Sequence, residues 1–333
     1  MVINFQAFFV GGNLITLSNK ANRYFVTGGA GFIGSHLADW LVNEGEVTVY
    51  DNLSSGSLGF ISHNLDQRNF NFIQADLLDF STLKQAIAGH DMVFHLAANP
   101  EVRAGIEATD LDLRTGIIAS YNVLEAMRLN RIKEVVFTSS STVYGDAGII
   151  PVTEEYGPLL PVSLYGASKL GSEGLISAFC HLFNMQGWIF RLANVVGSRL
   201  THGVIFDFIN KLKQNPRQLE ILGDGSQQKP YLHVDDCING MLFGVVHSKQ
   251  ALNVFNLGPS TSTSVLTIAS IVVKAMGLEG VEFQYTGGSR GWPGDVPQVR
   301  LDMTKMSRLG WESRYTSDEA VQQAVREISG NFQ

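Results

Sequence analysis

Tyr165 and Lys169 are the two residues of this chain whose types and spacing point most directly to chemistry. They stand four residues apart in the helix-like segment YGASK (residues 165–169), so both side chains lie on one helical face, one turn apart. Because an ammonium beside a phenol favours the phenolate, we expect the pKa of Tyr165 to fall from its ordinary value of about 10 towards neutrality. Such a phenol takes a proton from an alcohol and returns it. Taken alone, the pair also fits a solvated helix face.

A cluster of hydroxyl side chains precedes this pair. The segment FTSSSTVYG (residues 137–145) follows an apolar run that predicts a strand, and open α/β sheets bind ligands at the carboxyl ends of their strands. A hydroxyl at this edge, such as that of Ser140, can hydrogen-bond both a substrate alcohol and the Tyr165 phenol. Serine and threonine clusters are often loop filler, but the position at a strand end favours a functional interpretation.

A glycine-rich turn predicts a dinucleotide site near these residues. In TGGAGFIG (residues 27–34) the glycines at 28, 31 and 34 lie between a predicted strand and a predicted helix. They allow a tight turn, a close approach of the backbone to a pyrophosphate, and close packing of helix on strand. The N-terminus of the helix adds free N–H groups and a positive dipole end.

The residues after the next two strands indicate which dinucleotide binds. Asp51 ends the second predicted strand, where a carboxylate accepts hydrogen bonds from a ribose and repels a 2′-phosphate. The segment that follows, residues 52–56, offers no arginine for such a phosphate. Asp76, after the third strand, is either a contact for the adenine amino group or a turn residue. We predict NAD rather than NADP.

The elements that must position these residues follow a regular pattern. Apolar runs at 24–26, 47–50, 70–73, 92–95, 135–138 and 188–192 alternate with helix-like segments at 33–43, 82–88, 117–129 and 165–183. Runs that are apolar throughout predict strands buried on both faces, and their alternation with helices predicts a parallel, doubly wound α/β sheet of the Rossmann type. We expect an N-terminal extension over residues 1–22, an NAD-binding domain over 23–197, and a smaller α/β substrate lobe over 198–333 from which some chain returns to the first domain.

Composition excludes several classes of function. The chain has 333 residues, of which 45% are hydrophobic and 17% charged, and its net charge of −7 argues against nucleic-acid binding. Cys180 and Cys237 form no ligand-spaced cluster, so we expect a cytoplasmic protein with neither disulfides nor a metal site. The apolar stretch at residues 5–10 is too short for a membrane span and lacks the preceding basic residues of a signal peptide.

Together these motifs resemble the extended short-chain dehydrogenase/reductase family, and within it the NAD-dependent nucleotide-sugar epimerases of the UDP-glucose 4-epimerase type. The resemblance runs from about residue 23 to residue 315. The segments that carry it are TGGAGFIG (27–34), DN (51–52), HLAA (95–98), SSSTVYG (139–145), YGASK (165–169), RLAN (191–194), HVDD (233–236) and PGD (293–295).

This resemblance implies roles for individual residues. Tyr165 is the acid/base, Lys169 holds the nicotinamide ribose and Ser140 is the catalytic hydroxyl. Residues implied in cofactor binding, besides Tyr165 and Lys169, are Gly28, Gly31, Phe32, Ile33, Gly34, Asp51, Asn52, Asp76, Leu77, Leu96, Ala97 and Ala98. Residues implied in substrate binding are Asn194, which would contact the nucleotide diphosphate, and Val204, Lys229, Arg290, Asp295 and Val299.

The resemblance also favours one reaction. Related dehydratases carry Asp-Glu where this chain has Ser141 and Thr142, and decarboxylases usually carry an acidic residue at the second position. The resemblance therefore favours 4-epimerisation of a UDP-hexose. Val299 stands where a bulky tyrosine in the family excludes N-acetyl groups, so the N-acetylhexosamine forms are expected substrates too. The alternatives are a sugar-nucleotide 4-keto reductase or dehydrogenase with net cofactor turnover, and a non-catalytic NAD-binding protein.

Several positions depart from the family pattern. Lys229-Pro230 replaces the usual Arg-Asp, and Trp292 replaces an arginine for which Arg290 is the nearest substitute. Pro100 stands in place of a lysine, and Gly116 in place of an asparagine near the nicotinamide. The helix-like segments 117–129 and 165–183 are apolar on more than one face, as in the four-helix bundle through which the family dimerises, so a homodimer is expected.

Overall fold

The computed structural model describes residues 9–10, 13–14, 17, 22–148 and 150–330. Most of the predicted N-terminal extension, residues 1–22, lies outside the described residues. Within the part described there, two short strands pair antiparallel, Phe9 with Leu14 and Val10 with Asn13.

Strands and helices alternate through the first half of the described chain. The strands are β1 (Phe9–Val10), β2 (Asn13–Leu14), β3 (Arg23–Thr27), β4 (Glu46–Asp51), β5 (Phe70–Gln74), β6 (Met92–His95), β7 (Glu134–Ser140), β8 (Gln186–Leu192), β9 (Asn194–Val196), β10 (Gln218–Ile221), β11 (Gln228–Lys229), β12 (Tyr231–His233), β13 (Leu252–Leu257), β14 (Thr263–Ser264) and β15 (Glu282–Tyr285). The α-helices are α1 (Phe32–Leu41), α2 (Phe80–Ala86), α3 (Ala119–Leu129), α4 (Leu164–Phe183), α5 (Val204–Gln214), α6 (Val234–His247), α7 (Val265–Ala275), α8 (Thr304–Leu309) and α9 (Ser317–Gly330).

Seven of these strands form one parallel sheet in the order β13-β8-β7-β6-β3-β4-β5. Successive side chains of a strand point to opposite faces, and both faces are covered. Val26 and Val136 pack into the core beneath α1 and α6, whereas Phe25 and Phe137 pack into the core beneath α2, α3 and α4. The predicted doubly wound sheet is confirmed, and every predicted apolar run lies within one of its strands.

A short π-helical segment, Leu113–Ile118, leads directly into α3. The sequence pattern predicted a single regular helix from residue 117. The wider turn places Gly116 against α4, where a Cβ atom on that glycine would lie 2.7 Å from the Ser168 side chain. The segment therefore approaches α4 more closely than a residue with a side chain allows.

The second half of the chain builds a smaller α/β lobe on the sheet. The lobe has its own hydrophobic core, separate from the two cores on the faces of the sheet. Helices α5, α7 and α9 form most of it, with Phe208, Ile268 and Val321 among its buried residues. Three two-stranded ladders, β9–β12, β10–β15 and β11–β14, complete it. Strand β13 leaves the lobe and pairs with β8 at the edge of the main sheet. The domain boundary between residues 197 and 198 stays a prediction.

Both cysteines, Cys180 and Cys237, are buried free thiols. Burial raises the pKa of the Cys180 thiol to about 11. None of the helices in the described part of the chain combines the length and the apolar composition that a bilayer crossing requires. The cytoplasmic location stays a prediction.

Candidate active site

A cavity of about 850 Å³ lies where the carboxyl ends of the sheet strands meet the C-terminal lobe. The predicted catalytic, cofactor-binding and substrate-binding residues line this one cavity, with the exception of Arg290. They come from the glycine turn, from the ends of four sheet strands, from α4 and from the lobe. The topology thus brings together residues that are scattered over more than two hundred positions of the sequence.

Helix α4 presents the proposed acid/base pair to the end of β7. The helix begins at Leu164, where the Ser163 hydroxyl caps it by accepting a hydrogen bond from the Gly166 N–H at 3.1 Å. The ammonium of Lys169 donates to the Thr138 carbonyl oxygen at 2.7 Å and lies 5.7 Å from the centre of the Tyr165 ring. Ser140, two residues after Thr138, is within hydrogen-bonding reach of the Tyr165 hydroxyl.

The pKa of Tyr165 does not behave as the sequence suggested. Burial raises it to about 12, the negative charge of Asp112 adds to the rise, and the hydrogen bond with Ser140 opposes it. The expectation of a pKa near neutrality is therefore wrong for the protein alone, because desolvation of the phenolate and the charge of Asp112 outweigh the hydrogen bond with Ser140. Burial also lowers the pKa of Lys169 to about 8, although the charges of Glu173 and Asp112 oppose this.

The turn between β3 and α1 fits the pyrophosphate of a dinucleotide. Gly28 has a φ of +68°, and a Cβ atom there would lie 2.7 Å from the Ala97 backbone. A Cβ atom on Gly34 would clash with the Gly28 carbonyl oxygen. Gly31 caps α1 without a side chain, so the first N–H groups of that helix are free of a side-chain cap. The turn is therefore open where a phosphate must approach the backbone.

The carboxylates near the proposed adenosine site already hold the backbone. Asp51 accepts hydrogen bonds from the Ala30 N–H at 3.0 Å and from the Leu53 N–H at 2.8 Å, one with each oxygen. Asp76 accepts from the Leu78 N–H at 2.8 Å and from the Asn52 side-chain amide at 3.0 Å. Asp51 lines the cavity, and each of its oxygens can accept a second hydrogen bond. The role of Asp51 towards a ribose and that of Asp76 towards adenine stay predictions.

The basic residues predicted for the substrate diphosphate are paired with carboxylates. The Lys229 ammonium lies 2.5 Å from an Asp295 oxygen, and both residues line the cavity. Arg290 donates instead to the Asp146 carboxylate at 2.5 Å and to the Asp295 carbonyl oxygen at 2.6 Å. Arg290 does not line the cavity, and its role towards the substrate stays a prediction.

Comparison with known proteins gives the family. The sequence profile described as the NAD dependent epimerase/dehydratase family matches residues 24–258. The chain belongs to this family. NAD is therefore its cofactor, and the resemblance to the epimerases of this family is confirmed.

Individual relatives of the family match along nearly the whole chain. A UDP-galactose 4-epimerase of known crystal structure shares 40% sequence identity with this chain. The match covers 93% of this chain and 100% of that protein's chain, with a TM-score of 0.83. The UDP-glucose 4-epimerase of Mycolicibacterium smegmatis is 31% identical over 91% of this chain and 97% of its own length. The UDP-N-acetylglucosamine 4-epimerase of Methanobrevibacter ruminantium M1 is 28% identical, covers 94% and 99% of the two chains, and has a TM-score of 0.83.

Family members with another reaction also match. UDP-glucuronic acid decarboxylase 1 of Xenopus tropicalis is 28% identical over 93% of this chain and 73% of its own length. Membership of the epimerase/dehydratase family therefore gives the fold and the cofactor, and the residues of this chain must indicate the reaction.

Sequence analysis missed a group of charged residues at the substrate side of the cavity. Arg103, in a short 3-10 helix after β6, lies 2.9 Å from Glu101 and 3.9 Å from Asp207 of α5. His202 and Lys211 line the same wall. The departure at Pro100 was the available signal, because a missing family lysine directs attention to the next basic residue, which is Arg103.

Gly116 now has a structural explanation. It replaces the family asparagine, and it lies in the π-helical segment that packs against Ser168, one residue before Lys169. A side chain at this position would push the segment away from α4. The neighbouring Thr115 lines the cavity.

Proposed function

We propose that the chain is a UDP-hexose 4-epimerase that oxidises the sugar at C4 and returns hydride to the opposite face. The observation that carries this proposal is the chemistry of residues 140–142. Ser140, Ser141 and Thr142 line the cavity next to Tyr165, and the Thr142 hydroxyl donates to the Ser140 oxygen at 3.0 Å. By the family resemblance, dehydratases and decarboxylases place carboxylates here, so hydroxyls favour a reaction without loss of water or carbon dioxide.

Three residues of the chain have separate roles in this reaction: Tyr165 carries the proton, and Ser140 and Lys169 support it. NAD supplies the hydride acceptor and, in its oxidised form, a positive ring charge that favours a nearby phenolate. Tyr165 takes the proton of the sugar 4-hydroxyl as hydride leaves C4, and returns that proton to the ketone oxygen when hydride comes back. Ser140 holds the same oxygen through a hydrogen bond. Lys169 keeps a positive charge behind the phenolate and binds the nicotinamide ribose.

Incubation of the purified protein with a panel of UDP- and GDP-sugars tests this proposal. No cofactor is added, and the products are separated by chromatography. We expect UDP-glucose and UDP-galactose to interconvert without a lasting absorbance change at 340 nm, because NAD is regenerated in each cycle. Stoichiometric formation or consumption of NADH would contradict epimerisation and indicate net oxidoreduction. Absence of any turnover across the panel would favour a non-catalytic NAD-binding protein.

We further propose that the pocket accepts N-acetylhexosamine. Val299 lines the cavity, and its N–H donates to the Gln228 carbonyl oxygen at 3.3 Å, which holds a small side chain at this point of the wall. The relative from Methanobrevibacter ruminantium M1, which is a UDP-N-acetylglucosamine 4-epimerase, supports this extension. If UDP-glucose reacts well and UDP-N-acetylglucosamine does not react, the extension is wrong.

Lys229 and Asn194 are proposed to bind the nucleotide diphosphate. Both line the cavity at the start of the lobe, where β9 pairs with β12. Lysine acts as a point charge and lacks the two-pronged geometry of arginine. Asp295 then holds the Lys229 ammonium in place until a phosphate replaces it as the partner.

We propose a homodimer formed through α3 and α4. Tyr121 on α3 and Leu182 on α4 are 47% and 74% exposed, and Leu113, Ile118 and Leu164 extend the apolar face. A self-complementary surface of two helices buries this face in a four-helix bundle. Light scattering after gel filtration should give twice the chain mass, and Leu182→Glu should give the monomer. A monomeric wild-type protein would contradict the proposal.

A further inference from the structure

Glu173 continues the line of functional side chains on α4. Tyr165, Lys169 and Glu173 follow one another at intervals of four residues, so they lie on the same helical face. The first two belong to the active site. Glu173 does not line the cavity, and its side chain is buried.

The three side chains contact three successive residues at the end of β7. Tyr165 is within hydrogen-bonding reach of Ser140, and Lys169 donates to the Thr138 carbonyl oxygen at 2.7 Å. The remaining residue, Ser139, donates from its hydroxyl to Glu173 at 2.5 Å. Each turn of this part of the helix is thus attached to its own residue of the strand.

Glu173 is also bound to the next strand. Arg191 of β8 lies opposite Ser139 in the sheet and donates to both carboxylate oxygens of Glu173, from Nε at 3.0 Å and from Nη2 at 2.7 Å. Arg191 also donates to the Tyr144 hydroxyl at 3.0 Å, and that hydroxyl donates to Asn256 at 2.6 Å. The ion pair therefore joins α4, two sheet strands and the turn that follows Ser140.

Small side chains predominate in the first half of α4. Its sequence between Tyr165 and Leu175 contains six small residues: Gly166, Ala167, Ser168, Gly171, Ser172 and Gly174. Small side chains allow close approach but interlock poorly with a strand, whereas a two-pronged ion pair with arginine has one favourable geometry. A buried ion pair adds little net stability over apolar residues of the same volume. Its value here is the position that it imposes on the helix.

We propose that Glu173 positions the Tyr165–Lys169 pair by fixing the register of helix α4 on strand β7. Glu173 touches none of the reacting atoms and acts through Lys169 and the helix backbone. Its carboxylate also supports the charge of the lysine one turn away. This inference rests on the proposed function only for the identity of the substrate, because the contact of Lys169 with NAD can be measured without a sugar.

Three other titratable groups around Lys169 also bear on its charge. Asp112, which immediately precedes the π-helical segment, also favours the ammonium, and Tyr165 is an uncharged phenol in the protein alone. His95 of β6 faces the lysine as a neutral ring, since burial and the lysine charge lower the pKa of His95 to about 3. Removal of the Glu173 charge leaves Asp112 as the remaining support, so Lys169 should lose its proton at a lower pH.

Glu173→Gln is the direct test, with Asp91→Asn as its matched control. Asp91 also pairs with an arginine, Arg23, at 3.2 Å, but this pair lies at the amino ends of the sheet strands, away from the cavity at their carboxyl ends. We expect the glutamine variant to lose about a hundredfold in kcat, because a displacement of about 1 Å has this effect in an active site. NAD affinity should match that of wild type at pH 6, where Lys169 is protonated in both proteins. At pH 8 it should be about fivefold weaker, because a fall of one unit in the pKa of Lys169 lowers the protonated fraction by about that factor. The control should change neither quantity.

A double variant covers the case in which Glu173→Gln fails to fold because Arg191 is left without a partner. Glu173→Met combined with Arg191→Met keeps the volume and removes both charges. It should fold, and it should show the same loss of kcat and the same weakening of NAD binding at pH 8. Ser139→Ala should move both readouts in the same direction by a smaller factor.

A folded variant with kcat within about threefold of wild type and an unchanged pH dependence of NAD binding would overturn the inference. A folded variant that loses kcat while its NAD binding keeps the wild-type pH dependence would also overturn the electrostatic part. If wild-type protein turned over no UDP-hexose, the proposed function would fail. The NAD titration would still decide the role of Glu173.

Discussion

The two halves of the cavity are built from different kinds of groups. The half that fits NAD is built from glycines, apolar side chains and backbone N–H groups, and its carboxylate Asp51 is already bonded to the backbone. The half proposed for the nucleotide sugar is lined by charges that bind one another, as Lys229 and Asp295 do. The first half is therefore shaped before its ligand arrives, whereas the second must exchange partners when a diphosphate enters. A preformed half suits a cofactor that stays bound between reaction cycles, and a half that exchanges ion-pair partners suits a substrate that is released.

Tyr165→Phe removes the group on which both halves depend, and it should have the largest effect. The phenyl ring keeps the packing but cannot carry the proton, so kcat should fall by about a thousandfold or more. NAD content, measured after denaturation of the purified protein, should equal that of wild type. Full activity of the variant would remove Tyr165 from the mechanism.

Gly34→Ala attacks the preformed half. The added methyl group meets the Gly28 carbonyl oxygen, so the turn must shift. Overpacking costs about 1–3 kcal/mol, which corresponds to a loss of roughly fivefold to 150-fold in NAD affinity. Calorimetric titration with NAD measures the loss. Gly330→Ala, at a helix end with open space around the new methyl group, is the control and should bind NAD normally.

Lys229→Met tests the half that must exchange partners. Loss of one charged contact to a phosphate should raise the KM for the sugar nucleotide about tenfold. The dissociation constant of NAD should stay the same, because Lys229 belongs to the other half. Lys249→Met, on an exposed lysine outside the cavity, should leave both constants unchanged. An equal loss for NAD and for the sugar nucleotide would show that the two halves are not independent.

Glu327→Gln should have the smallest effect, on the stability of the lobe. Burial opposes the charged form of His233, but the hydrogen bond with Glu327 and the charge of Asp235 outweigh it, so the pKa of His233 is raised above 6.5. Protonated His233 therefore stabilises the folded state below about pH 6.5. This stabilisation is lost as the pH rises through the pKa that His233 has in the folded state. Calorimetry should show a fall in Tm of a few degrees at pH 6 and a smaller fall at pH 8. Glu279→Gln, on the surface, should show neither.

The sequence predicted what depends on local pattern. The apolar runs of β3 and β7 and the glycine spacing at Gly28 and Gly34 each carry their signal within a dozen residues. Strand β13 was missed as a sheet member, since its partner β8 lies about 65 positions earlier. The pairing of Lys229 with Asp295 was missed for the same reason, because 66 residues separate them.

Two features depend on the solvent and packing around a group, which residue types do not reveal. The raised pKa of Tyr165 comes first from burial, whereas its neighbour Lys169 was visible in the sequence. The π-helical turn at Gly116 lies against Ser168 of α4, and the periodicity of residues 117–129 gave no sign of this turn or of this contact.

The pairing of β13 with β8 has a consequence for how the protein folds. A fragment that ended after β8 would leave six residues of that strand without their hydrogen-bonding neighbours and would expose an apolar sheet edge. The chain must therefore run through the lobe and come back before the sheet that carries the glycine turn is complete. Heat or denaturant should then unfold both halves of the cavity in one transition. Binding of either NAD or the nucleotide sugar should therefore stabilise the whole protein against unfolding.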